Sequence, residues 1–123
     1  MDYSKLSDFE INKRVAICIH PEIRDWNCYD VSGRACFVIN ENTRKRVQFG
    51  FSFTTNPADA WPIIVANGIS LNHYTGTWEA SYEYDAPIGA FGTDETVTSA
   101  IEHKNPLRAA MIVFLMMQES QHA

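Results

Sequence analysis

Glu79, Glu83 and Asp85 recur at alternate positions, and converging carboxylates are what acid–base catalysis or a divalent cation requires. In an extended strand, period two puts Glu79 and Glu83 on one face with Ser81 between them. A solvated acidic strand face accounts for that spacing better than a catalytic pair. Cys18-x-His20, with Cys28 and Cys36, supplies the ligand types zinc prefers, but structural zinc sites use closely spaced ligand pairs, and here there is one pair at an unusual spacing. Cys18 is better placed on the inner face of a helix and Cys36 in a strand, both as small apolar residues. No metal or cofactor is implied. There is no G-x-S-x-G elbow, and a Cys–His nucleophile would need a depressed thiol pKa that residue order does not supply. His20, His73, His103 and His122 fall in separate segments, and Gly89-Ala90-Phe91-Gly92 lacks the spacing of a phosphate-binding loop. No residue is assigned a catalytic role.

The remaining signal is aromatic. Trp26, Tyr29, His73, Tyr74, Trp78, Tyr82 and Tyr84 crowd the irregular and strand segments, and amphipathic rings are favoured at interface hot spots. The binding candidates are therefore Trp26, Tyr29, His73, Tyr74 and Trp78, with Glu79 and Glu83 as an acidic rim. The competing explanation makes Trp78, Tyr82 and Tyr84 simply the buried face of their strand.

Composition limits the classes open to such a surface. The 123 residues suit one compact domain, and 46% hydrophobic with 20% charged residues is ordinary for a folded globular chain. A formal charge of -5 repels phosphate backbones at long range, and Arg44-Lys45-Arg46 is the only basic cluster, so nucleic acid is disfavoured as a partner. The opening M-D-Y-S-K-L-S-D is no secretion signal, and the longest apolar run, Ala109 to Met117, has nine residues where a membrane span needs about 20. With three cysteines and no C-x-x-C pair, the expectation is a cytoplasmic protein with free thiols and no membrane association.

The elements that must position these residues follow from caps and periodicity. Ser7 with Glu10, and Leu6 with Ile11, start a helix at Asp8 that Pro21 ends; its inward positions leave Asn12, Lys13 and Arg14 toward water. The stretch from His20 to Gly33 carries no firm pattern. Ala35, Phe37 and Ile39, then Val47, Phe49, Phe51 and Phe53, alternate with polar residues and predict a hairpin with one buried face, turning at Asn40 to Thr43. Asp59 is expected to cap a short apolar helix, placing Pro62 in its first turn, with Gly68 closing it. Ile69 to Tyr74 and Thr77 to Tyr84 read as strands about Thr75-Gly76, and Glu95 to Ile101 as a weaker third. Asn105-Pro106 opens a last helix running to about Glu119, apolar around its circumference from 109 to 117. The whole is a single α+β domain, 1–123, with an antiparallel sheet of about four to five strands packed against a buried C-terminal helix and two shorter helices.

Three blocks, D-Y-S-K-L-S-D-F-E-I-N-K, N-P-A-D-A-W-P-I-I-V-A-N-G-I-S and N-P-L-R-A-A-M-I-V-F-L-M-M-Q, together resemble the NinX family of lambdoid phages and prophages. The resemblance implies a phage accessory protein made in the bacterial cytoplasm, and it carries over no activity and no site residue. The leading expectation is a non-enzymatic protein that binds a host or phage protein, with self-association as a homodimer through the same surface as an alternative. The competing reading is an enzyme or small-ligand binder with a pocket near Gly89 to Gly92.

The C-terminal helix gives the first test. Ile112→Asp or Phe114→Asp buries an unpaired charge and is expected to cost several kcal/mol, enough to unfold a typical domain. A soluble variant with an unchanged melting temperature would show that the helix is not central.

Overall fold

The computed structural model describes residues 1–88 and 93–121. After a 3-10 turn at Tyr3–Lys5, the elements run α1 (Asp8–Ile19), a second 3-10 turn (Pro21–Ile23), β1 (Asn27–Val31), β2 (Arg34–Ile39), β3 (Val47–Phe51), α2 (Pro57–Asn67), β4 (Ser70–Tyr74), β5 (Thr77–Ile88), β6 (Thr93–His103) and α3 (Pro106–Gln121). The class is α+β with antiparallel strands. Among the described residues the strands form two three-stranded sheets, β1-β2-β3 and β4-β5-β6, roughly consistent with the four to five strands expected.

Each helix begins where its capping chemistry starts. Ser7 Oγ accepts from the Glu10 amide at 3.2 Å at the head of α1. In α2 the cap is Asn56, whose side chain accepts from the Ala58 amide at 3.0 Å, with Pro57 as first helical residue. Asp59 is therefore not the cap. It instead accepts from the Ser52 amide at 3.1 Å and so ties the preceding turn to the helix. The earlier start puts Pro62 inside α2 rather than in its first turn, where it forgoes the bond to the Ala58 carbonyl. Gly68, at φ +62, closes the helix, and the Ile69 amide returns to the Ile64 carbonyl at 3.1 Å.

β1 is the strand that patterning missed. It pairs with β2 from Asn27↔Val38 to Val31↔Arg34. Ser32 and Gly33, both at positive φ, make the tight two-residue turn between them. As an outer strand, mostly exposed, β1 has no apolar alternation to betray it. The second hairpin pairs Ala35↔Phe51 through Ile39↔Val47, as its alternation predicts, but β3 stops at Phe51. Phe53 lies beyond the strand, buried, its ring stacked on Phe51 at 5.4 Å. In the second sheet β5 pairs with β4 over Ser70 to Tyr74 and with β6 from Trp78↔His103 to Ile88↔Thr93.

α3 occupies the centre, packing against α1, α2 and all three strands of the second sheet. Ala109 through Leu115 are buried on every side, while Met116 and Met117 are partly covered, so all-round burial ends two residues before the apolar run does. α1 covers the first sheet.

Polar bonds lock these layers. Asn12 is not solvated with Lys13 and Arg14, as helical periodicity implies, but only 1% exposed. Its amide nitrogen donates to the Gly33 carbonyl at 2.9 Å, and its oxygen accepts from the Thr54 amide at 3.0 Å. Asn105 donates to the Thr54 carbonyl at 2.6 Å and accepts from the Leu107 amide at 3.0 Å. Arg108 donates to Asp8 at 2.6 Å and to the Leu6 and Ser4 carbonyls at 2.5 and 3.2 Å.

Asn12→Ala strands a buried amide and a carbonyl, and is expected to cost about 2–3 kcal/mol. Urea unfolding reads this as a lowered midpoint with an unchanged slope. An unchanged midpoint would remove Asn12 from the list of structural locks.

Candidate functional site

The sequence-derived candidates fall into two groups on different sheets. Trp26, just before β1, is half-buried and stacks on Phe49 at 5.9 Å, on the side of the first sheet that α1 covers. Tyr29 points to the opposite side, where its hydroxyl donates to Glu41 at 2.6 Å. That hydrogen bond raises the pKa of Tyr29, and together with the Asn27 amide bond at 2.9 Å it lowers that of Glu41. Trp26 and Tyr29 thus share a strand end but no surface.

On the second sheet His73 and Trp78 are directly opposed, with ring centroids 4.9 Å apart. Tyr82 is buried in the core cluster and Tyr84, its neighbour at 5.6 Å, is exposed, so the strand's aromatic face runs from core to solvent. Tyr74 belongs to the other face, with Glu79 and Glu83. Glu79 is opposed by Asn72 on one side and Glu102 on the other. Among the described residues no hydrogen bond or ring contact joins this group to Trp26 or Tyr29. Also among the described residues, no three His, Cys, Asp or Glu side chains lie close enough to hold a metal ion. The Gly89 to Gly92 loop and His122 lie outside the described residues.

Two features lie outside the sequence-derived set. The first is the outer face of α2. Ala58, Trp61, Pro62 and Val65, spaced i, i+3, i+4, i+7, are all exposed, Trp61 by 59% and Val65 by 60%. The opposite stripe, Ala60, Ile63 and Ile64, is buried. α2 is apolar on both sides and covered on one.

The second is a cleft of about 260 Å³ between the Pro21–Ile23 turn and β3, lined by His20, Glu22, Ile23, Phe49 and Phe51. His20 lies 5.7 Å from the Phe51 ring and 3.5 Å from the Glu22 carboxylate. Periodicity alone assigned Phe49 to a buried face, yet it is 50% exposed. Two larger grooves, of about 380 and 430 Å³, flank the Tyr3–Glu119 hydrogen bond near the end of α3. Their walls are mostly apolar, with Glu119 already engaged by Tyr3 and by the N-terminal amine at 3.6 Å.

These features define a small α+β protein with an uncovered apolar helix and an aromatic cleft, and with no catalytic constellation among the described residues. Residues 2–118 match the family described as bacteriophage P22 NinX, and the chain belongs to that family. It matches no curated protein and no solved structure.

The thiols are graded by position. Cys18 is exposed, Cys28 partly covered and Cys36 buried. Burial of the sulfur raises the pKa of Cys18, despite nearby Arg24 and Arg14, and likewise that of Cys28. A disulfide-forming reagent near neutral pH is expected to react slowly, first at Cys18 and at Cys36 only on unfolding, reaching three thiols in denaturant. Cys36 reacting before Cys18 in the native protein would contradict this packing.

Proposed function

We propose that this NinX-family protein is a non-enzymatic accessory protein that binds another protein, of the host or the phage, in the bacterial cytoplasm. The observation that carries the reading is the uncovered stripe of α2. A helix apolar all round is ordinarily buried all round, whereas here Trp61 and Val65 stand in solvent. Asp59 is the helix's one charged residue, and it is already bonded to the Ser52 amide. A convex apolar stripe led by a tryptophan suits a partner presenting a concave apolar groove, in the manner of helix-in-groove recognition.

The size of the stripe bears on homodimerisation. Eleven residues of helix span about 16 Å, and four side chains fall far short of the ~20–30 residues a side of a stable interface. A groove that wraps the helix gains more than a second copy of the same convex stripe could. Tyr74, with Glu79 and Glu83 beside it, offers a second exposed surface of the aromatic and acidic kind that the sequence suggests.

Trp61→Ala is expected to weaken partner capture from infected bacteria by about 2 kcal/mol or more, with the melting temperature nearly unchanged. Arg46→Ala, exposed in the β2–β3 connection, serves as a control on another surface. Capture by Trp61→Ala equal to that of the parent protein would refute the α2 interface. A mass that doubles with concentration in the parent and not in Trp61→Ala would reassign the stripe to a homodimer.

A further inference from the structure

We propose that the cleft between the Pro21–Ile23 turn and β3 is a binding site for a small alkylammonium group. Three independent features of the cleft favour a cation with an apolar surface. Its walls are aromatic: Phe49 and Phe51 line it, and Trp26 backs Phe49 in a stack at 5.9 Å. The negative faces of such rings attract a cation, most strongly one whose charge is spread over methyl groups and is cheap to desolvate. One carboxylate, Glu22, stands in its lining and supplies the opposite charge. The cleft also opens at the C-terminal end of α1, where His20 caps a twelve-residue helix whose last turn contains no basic residue. That end carries the partial negative charge of the helix dipole, which a Lys or Arg often neutralises and which a bound cation would neutralise here.

Each alternative occupant meets an obstacle in the same lining. An anion would face Glu22, the rings and the helix C-terminus with no lysine or arginine in the wall. A purely apolar group would leave Glu22 with His20 alone beside it, the Nδ1 lying 3.5 Å from the carboxylate, and would make no use of the charge in the wall, while a strongly hydrated metal ion would find only one carboxylate. The protein's formal charge of -5 favours encounter with a cation at long range. At about 260 Å³, the cleft has room for a quaternary ammonium head group.

The test uses the full chain and two isosteric probes. Choline and its uncharged analogue 3,3-dimethylbutan-1-ol are titrated in parallel, with amide NMR shifts as readout and sodium chloride as the ionic-strength control. Choline is expected to give saturable shifts confined to His20, Glu22, Ile23, Phe49 and Phe51, with the alcohol at least about tenfold weaker. Phe49→Ala is expected to abolish the response, and Glu22→Gln to weaken it severalfold without moving the melting temperature. A third arm, acetylated trimethyl-lysine amide, separates the sources of the ammonium. Tighter binding than choline, with added shifts along β3, assigns the site to a modified side chain on a protein, and equal or weaker binding assigns it to a free amine. Equal binding of the alcohol, or choline shifts that never saturate or that persist in Phe49→Ala, would overturn the proposal.

Discussion

A buried amide holds the layers together. Asn12 projects from α1 between the turn at Gly33 and the turn at Thr54 that leads into α2, and it bonds the backbone of both. Thr54 in turn receives Asn105, the cap of α3. One continuous set of polar contacts therefore fixes the first hairpin, the entry to α2 and the start of the central helix relative to α1. The energetic logic is asymmetric. Each bond adds little over its counterpart in water, but any misalignment leaves a buried donor or acceptor unpaired at a cost of about 1–3 kcal/mol. Alternative packings of the same apolar faces would incur that cost. Arg108 acts similarly at the next turn. A cation in the first turn of α3 opposes the helix dipole, and it is stabilised there because Asp8 and the carbonyls of Ser4 and Leu6 converge on it.

These locks were largely illegible in the sequence. Caps, glycine closures and two-residue alternation locate the three helices and the β2–β3 and β4–β5 hairpins, because those signals are local and act within a few residues of where they are read. Asn12 looks solvated because helical periodicity weighs apolar side chains only, whereas its burial depends on Gly33 and Thr54, 21 and 42 residues away. β1 failed for a related reason. Its strand character comes from pairing with β2, and its own side chains, mostly in water, need not alternate. The division into two sheets depends on which strand edges meet, and nothing in the spacing of side chains along each strand encodes that.

The candidate surfaces show the same limit. Tyr29 and Tyr74 were legible as aromatics outside strong core patterns, and both are exposed. Trp61 was not, since an aromatic in a short apolar helix ordinarily belongs to the core. Its exposure follows from α3, which receives only the Ala60, Ile63 and Ile64 side of α2. Phe49 was read as buried because it alternates in step with Val47, Phe51 and Phe53; it is paired with Phe37, which is fully covered, yet it is itself half exposed.

The difference between those two phenylalanines shows where uncovered surface arises in this fold. α3 packs against every strand of the second sheet and both other helices, so the first sheet is left to α1. α1 lies over β2 and extends less fully over β3, and it stops at Ile19, where Pro21 denies the next turn a backbone donor and redirects the chain. The 3-10 turn that follows brings Glu22 and Ile23 toward β3 without closing over Phe49. Ending α1 at a proline leaves an aromatic wall, a carboxylate and a helix C-terminus around one opening.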